Sequence, residues 1–277
     1  DFPTVCHELK YSMLFLFFLS QICSYLSHFT NYYFFFCYLV GGTVINSNSL
    51  GMHEIIHFNA FKNINYNKYL SIFCDLTFGL PICESFRRYH KHHHNDFSVV
   101  NKDPDLPSNF EIKYFNGKIG KLIWLFFQGL FYIFRPLTIK QFDTTYFQRI
   151  SIVCCIIRFL LFWHYLSIYA ALFPIISAVL GTGIHPLSGH FITEHYYHND
   201  KNETTSYYGW MNLLTFNAGY HIEHHDFPNI PGSYLPKLHS IVKEYKNNPR
   251  VDSWIKNLYY FIMDDKFTLN NRVKYSE

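Results

Sequence analysis

Apolar residues in this chain gather into long runs, with none of the strict alternation that marks a half-buried strand. Four runs, 11–26, 32–50, 150–166 and 167–184, have the character of membrane-crossing helices. A helix rises about 1.5 Å per residue, so a hydrocarbon core of about 30 Å takes about 20 residues. The first, third and fourth runs are short by that measure and are expected to stand nearly upright. The second turns polar at Asn46-Ser47-Asn48 and is expected to leave the membrane there. The third and fourth meet near Ser167 in what has to be a very tight turn. Two more apolar runs, 69–83 and 121–137, are interrupted or bounded by Gly79, Pro81, Arg135 and Pro136, and read as helices lying in the membrane interface. Asp103-Pro104-Asp105-Leu106-Pro107 and the stretch from Asp226 to Gly232 read as turns, and the tail from Ser233 as one or two helices. The pattern predicts an all-α integral membrane protein with a single domain over 1–277. Four transmembrane helices form two hairpins, and residues 53–149 and 185–277 form a helical cap. Nothing reads as a strand.

Composition agrees with lipid as the solvent. Hydrophobic residues make up 49% of the 277, aromatic residues 21% and charged residues only 16%, against a usual charged share of about 25%. The formal net charge of +3, without a basic stripe carrying interleaved aromatics, excludes a nucleic-acid binder. All but Lys10 and Arg158 of the 23 Lys and Arg residues lie in 53–149 or beyond His185, and the two hairpin turns carry none. By the positive-inside rule the cap and both termini are expected on the cytoplasmic side. The Asn202-Glu203-Thr204 sequon would then face the cytosol and is expected to be unmodified. Arg158 falls inside the third run and is expected to snorkel along its helix. The seven cysteines form no CxxC pair, sit mostly in apolar runs, and read as buried thiols. The chain has no initiator Met and its first apolar run starts almost at once, as expected of a piece lacking a polar N-terminal extension. No small-residue cleavage site follows 11–26, so that run is not read as a signal peptide.

Histidines carry the chemistry. Thirteen of the 17 lie in 52–94 or 185–225, where even scatter would place roughly 5. They form three clusters: His53-Glu54-Ile55-Ile56-His57, His90-Lys91-His92-His93-His94 and His221-Ile222-Glu223-His224-His225. Spacings of i, i+3 and i+4 bring imidazoles onto one helix face, and neutral imidazole is a common metal ligand. The expected cytoplasmic cap puts all three clusters on one side of the membrane, as a shared site requires.

The first cluster alone is HExxH, the zinc-protease helix. A zinc site, however, needs only three protein ligands and a water, which leaves both HxxHH clusters unused. A peptide-binding edge strand is also lacking. Metal transport would place ligands near the bilayer midplane, whereas these follow the spans in charged stretches. Eight histidines suit two metals with four or five ligands each. An all-histidine pair of irons beside apolar helices suits oxidation of a lipid chain by O₂, because an unactivated C–H bond offers no acidic proton for side-chain catalysis.

With these residues in place, the chain resembles the membrane fatty acid desaturase and hydroxylase superfamily, and within it the sphingolipid Δ4-desaturases. All eight positions of the superfamily pattern HxxxH, HxxHH, HxxHH are present. The closer likeness rests on Phe86-Arg87-Arg88-Tyr89-His90, the turn from Asp103 to Pro107, and Phe134-Arg135-Pro136-Leu137. It also rests on the strings HPLSGHFITEHY from His185 and TFNAGYHIEHHDFPNIPG from Thr215, with Ser253-Trp254-Ile255-Lys256 and Met263-Asp264-Asp265 in the tail.

The resemblance implies a four-span endoplasmic reticulum enzyme with a di-iron centre that converts dihydroceramide to ceramide. Its co-substrate would be O₂, with electrons from cytochrome b5 and ultimately from NADH through the cytochrome's reductase. His185-Pro186 continues as Leu-Ser, so no fused cytochrome b5 haem motif is present, and the donor is expected to be a separate protein. The implied ligands are His53, His57, His90, His93, His94, His221, His224 and His225. A ninth is implied between the second and third boxes, with His195 the first candidate and His190 the second. His185 is expected to orient the turn after the fourth span, and His92 to be a solvated loop histidine.

Ile56, His92 and Ile222 depart from the family's usual small, acidic and polar residues. They bear on the choice between desaturation and C4-hydroxylation, which share their first hydrogen abstraction. A C4-hydroxylase or bifunctional relative is the alternative reading. Glu54 and Glu223 either hold a ligand imidazole through its second nitrogen or face solvent. Tyr89 and Tyr220 are expected to serve in aromatic packing.

Overall fold

The computed structural model of the chain describes residues 2–197, 203–272 and 275. Asn202 lies outside them, so the sequon has no structural account. Helix α1 (His7–Ser27) is followed by one unbroken helical run: α2 (Tyr33–Phe36), a π-turn at Cys37–Gly41, and α3 (Gly42–Ile56). Then come α4 (Ile64–Phe78), α5 (Cys83–Asn95), α6 (Asn109–Tyr114), α7 (Gly117–Phe134) and α8 (Pro136–Ile139). A helical pair follows, α9 (Tyr146–Tyr165) and α10 (Ile168–Gly181), and after it α11 (Gly189–His195), α12 (His221–Asp226), α13 (Leu235–Ile241) and α14 (Trp254–Met263). A two-residue parallel pair, β1 (Ser206–Tyr207) with β2 (Arg250–Val251), is a small strand element that periodicity did not foresee. Two paired residues are too few to show an alternation.

The helices are inside-out relative to those of a water-soluble protein. On α1, Leu9, Met13, Leu16, Ser20, Cys23 and Ser27 are buried at helical spacing, while Tyr11, Phe15, Phe18, Ile22 and Tyr25 face outward. Small and polar side chains let helices approach closely, and large apolar ones meet lipid. On α9, Ser151, Cys155 and Arg158 are inside, and Val153, Ile157, Leu160 and Leu161 are outside. Among the described residues α1 and α9 are long and apolar enough to cross a membrane. The bent pair Ile168–Gly181 with Pro186–His195, kinked by 51°, makes a third if it is one span.

Several expectations change in detail. The second apolar run stays helical through Asn46-Ser47-Asn48 to Ile56, with the side-chain nitrogens of both asparagines bonded inside the bundle. Asn46 Nδ2 donates to Gly42 O and Gly181 O, both at 2.8 Å, and Asn48 Nδ2 to Cys74 O at 3.1 Å. Gly42 and Gly181 make that approach possible, since a Cβ on Gly181 would sit 2.6 Å from Gly42 Cα. The expected interfacial helix over 69–83 is instead α4, which begins and ends five residues earlier. It is stopped by Gly79 in the left-handed region (φ +72°) and packs against α1, α3 and α9 within the bundle.

Arg158 does not snorkel. It is buried, with Nε donating to Gln21 Oε1 (3.0 Å), Nη1 to Ala171 O (2.8 Å) and Nη2 to Ser24 Oγ, so it clamps α9 to α1 and α10. The expected tight turn is present: Ser167 caps α10, its Oγ accepting from Ala170 N at 3.2 Å.

The run 121–137 corresponds to α7 and α8, and α7 has the polarity of an interfacial helix. Lys121 and Trp124 point inward, Lys121 Nζ donating to Asp264 O (2.7 Å) and Phe267 O (2.9 Å), and Trp124 Nε1 to Glu111 Oε1 (2.9 Å). Ile119, Ile123, Phe126 and Phe127 point outward. All seven cysteines are free and all but Cys154 are buried, as composition led us to expect.

Candidate metal centre

Three helices bring the boxes together. His53 lies in the last turn of α3, with His57 at its C-terminal cap. His90, His93 and His94 lie on α5, whose i, i+3, i+4 spacing turns them to one side, and His221, His224 and His225 lie on α12. The ligand nitrogens form two groups. His53, His57, His90, His94 and His224 have ring nitrogens all within 4.8 Å of one another, as do His93, His195 and His225. His221 joins the second group, its Nε2 2.9 Å from His195 Nε2.

Within the groups the nitrogens are close. His94 Nε2 to His90 Nε2 is 2.9 Å, His90 Nε2 to His57 Nε2 3.1 Å, His93 Nε2 to His195 Nε2 3.2 Å, and His224 Nε2 to His94 Nε2 3.3 Å. Metal–imidazole bonds of about 2.1 Å meeting near a right angle place neighbouring nitrogens about 3.0 Å apart. The spacing is therefore that of the edges of a coordination polyhedron. His225 Nε2 is buried without a hydrogen-bond partner among the described residues, which is costly unless something binds it. Both donor sets fit a metal ion.

The electrostatics favour the ligand form. Burial pushes His90, His195, His224 and His225 well below the ordinary histidine range, and brings His94 and His221 down to about 3. Neutral imidazoles at physiological pH are ready to coordinate. His93 moves the other way, because Asp105 and Asp103 outweigh its burial. Its Nδ1 lies 2.9 Å from Asp103 Oδ1, leaving Nε2 to face His195. Asp103 is itself fixed by Ser98 N (2.7 Å) and Asp105 N (2.9 Å), and His93 holds its carboxyl down at about 2 despite burial. A carboxylate behind a ligand imidazole sets its tautomer and raises its basicity.

Other residues fall where the sequence did not place them. Glu223 neither bonds a box histidine nor faces solvent, and Glu54 Oε1 stands 3.9 Å from His53 Nδ1, beyond hydrogen-bond reach. Glu54 is buried and accepts from Asn59 Nδ2 (3.2 Å) and Gly232 N (2.7 Å), tying the end of α3 to the loop after α12. Glu223 accepts from Ser206 Oγ (3.1 Å), Tyr208 Oη (2.9 Å) and His239 Nδ1 (2.6 Å), anchoring α12 from behind. His92 sits on α5 rather than in a loop, half-buried beside Asp96 at 3.6 Å and outside both groups. His185 caps its turn as expected, its Nδ1 accepting from Leu187 N at 3.2 Å. His190 is in neither group and hydrogen-bonds Glu194. Asp103 was legible only as a turn residue, and Glu194 not at all.

A cavity of about 350 Å³ adjoins both groups. His53, His90, His93, His195 and His221 line it at one end, and Leu50, Phe78, Phe126, Leu130, Ile175 and Val179 are among the apolar residues lining the rest. A slot of that size suits the chain of a lipid more than a polar metabolite.

An outward belt of apolar side chains, two buried histidine groups that could hold metal and an apolar slot beside them are the features of a membrane protein with a metal site open to a lipid-sized cavity. The chain matches the fatty acid desaturase family over residues 13–253 and belongs to that family. It is 44% identical over 243 residues to the human (Homo sapiens) sphingolipid delta(4)-desaturase DES1, covering 87% of this chain and 75% of that one. The chicken (Gallus gallus) DES1 is 42% identical with the same coverage. The rat (Rattus norvegicus) sphingolipid delta(4)-desaturase/C4-monooxygenase DES2 is 38% identical, again over 87% and 75%. No solved structure matches the chain.

Proposed function

We propose that this chain is a sphingolipid Δ4-desaturase, an O₂-dependent oxidoreductase that converts dihydroceramide to ceramide. The observation that carries the reading is the junction of two all-histidine groups with the apolar cavity, in a chain 44% identical to DES1 enzymes. The proposed ligands are His53, His57, His90, His94 and His224 for one iron and His93, His195, His221 and His225 for the other, so His195 is the ninth histidine. The bound pair of irons would supply the oxidising power that no side chain has.

The chain's own residues do the rest. Asp103 holds His93 in one tautomer through Nδ1. The apolar walls take the hydrocarbon chain and exclude water. Over the reaction the lipid loses two hydrogens and O₂ is reduced to two waters, with two electrons and two protons supplied from outside. Cytochrome b5, as a separate protein fed by NADH through its reductase, is the proposed electron source.

The proposed setting is the endoplasmic reticulum membrane. One domain over 1–277 would contribute four spans in two hairpins: α1, the run through α2 and α3, α9, and α10. The cap, 53–149 and 185–277, would lie on the cytoplasmic side with both termini. The outward apolar faces of α1, α7 and α9 and the distribution of Lys and Arg support this arrangement. A bifunctional desaturase and C4-hydroxylase is the second reading, favoured by the likeness to DES2 and by Ile56 and Ile222 beside ligand histidines.

The test is mass spectrometry of lipids from cells lacking their own enzyme, expressing this chain and fed dihydroceramide. Loss of two hydrogens is expected, and is abolished by His93→Ala or His224→Ala without loss of membrane insertion. Gain of one oxygen in part of the product, beside the loss of two hydrogens, would establish the second reading. An unchanged lipid in the presence of folded, iron-loaded protein would overturn both.

A further inference from the structure

The cavity is apolar along most of its wall and polar in one sector beside the histidines. Tyr132, His190 and Glu194 form that sector, and none of them belongs to either histidine group. His190 is only 3% exposed, its ring centroid 4.0 Å from that of Phe191. Its Nδ1 lies 3.0 Å from Glu194 Oε1, and its Nε2 is buried with no partner among the described residues. A carboxylate only accepts, so Nδ1 carries the hydrogen, and in the neutral ring Nε2 is left as an acceptor. Glu194 also lines the cavity, and its Oε1, which bonds His190, lies 3.8 Å from His221 Nδ1. Tyr132 packs its ring against Phe191 (centroids 4.9 Å apart) and under the Arg135 guanidinium at 5.0 Å. The Tyr132 hydroxyl has no hydrogen-bond partner among the described residues.

The sector therefore holds one buried acceptor, His190 Nε2, without a donor among the described residues, beside a Tyr132 hydroxyl that can both donate and accept. A buried acceptor left unpaired is costly, and a ligand that brings the missing donor is selected strongly over one that does not. Hydroxyl O–H and amide N–H groups supply such donors, whereas the ester or thioester of a simple acyl lipid supplies none. We infer that His190, Glu194 and Tyr132 form the recognition site for the hydroxyl and amide N–H groups of the lipid headgroup. Anchoring the head at a fixed point beside the histidines also selects which carbon of the chain is presented to them. The inference rests on the desaturase reading of the cavity and adds to it the residues that choose an amide-linked, hydroxyl-bearing substrate.

The test uses the full chain, purified with its iron, and measures Kd for dihydroceramide without an electron donor. Tyr132→Phe removes one hydroxyl, and His190→Phe keeps a ring against Phe191 while removing both nitrogens. Each is expected to weaken binding about tenfold, the worth of one buried hydrogen bond, with iron content unchanged. Wild type should lose a similar factor on deoxy analogues lacking the headgroup hydroxyls, and at least one variant should lose little more on them. Variants that bind dihydroceramide like wild type, or whose losses simply add to those of the deoxy analogues, would overturn the inference. So would loss of iron in both. Wild-type protein that does not bind dihydroceramide at all would overturn the sphingolipid reading itself, a result separable from the variants.

Discussion

Glu111 and Arg135 show how much of the cap hangs on single residues. Arg135 Nε and Nη2 grip the two oxygens of Glu111 at 2.9 and 2.6 Å, Trp124 joins the same carboxylate, and the pair is buried. Arg135 outweighs burial and holds the Glu111 carboxyl below its usual range. The unfolded chain, titrating near about 4.3, takes up the proton first as pH falls. The contribution is therefore complete above that value and is lost as pH drops through the folded one. Glu111→Ala, which strands a buried guanidinium, should cost about 3–5 kcal/mol at neutral pH. The gap from wild type should narrow below pH 4 in thermal unfolding; a gap independent of pH would contradict the pairing. At the centre itself, Asp103→Asn should weaken metal retention about 10–100-fold through His93, read by titration with a chelator. The box histidines were legible because i, i+3, i+4 spacing is local. Asp103 was less so: it lies ten residues from His93, and its approach is set by the turn that follows α5, whereas Glu194 stands at i+4 from His190, a local spacing the reading passed over.

Among the elements, the long apolar runs were legible and their polar interruptions were misleading. Asn46-Ser47-Asn48 reads locally as a polar interruption, and Asn46 and Asn48 form the seam along which α3 meets α10 and α4. Arg158 reads as a charge seeking water, but its donors are taken up by α1 and α10. In both cases the satisfying group is distant backbone or side chain, and local hydropathy counts only the cost. Because Gly181 and Gly42 touch backbone to backbone, Gly181→Val has no side-chain neighbour able to move aside. The substitution should cost about 1–3 kcal/mol and lower the unfolding temperature of the detergent-solubilised protein. An unchanged temperature would mean that α3 and α10 do not pack as described.

For the molecule as a whole, the fold carries one helix end, one helix side and two short cap helices to one point. The end of α3, one side of α5, α11 and α12 meet there, with Glu54 and Glu223 bracing α12 from behind. The separation of the histidines into a group of five and a group of four was not legible in the boxes, each of which reads as one unit. His93 and His94 are adjacent in sequence and serve different groups, as do His224 and His225. Elemental analysis of purified, iron-reconstituted protein tests this arrangement most directly. Wild type should hold two irons per chain. His90→Ala/His94→Ala and His195→Ala/His225→Ala should each hold one, both still inserted in the membrane. A wild-type chain that binds one iron or none, or double variants that keep both, would contradict the two-centre account.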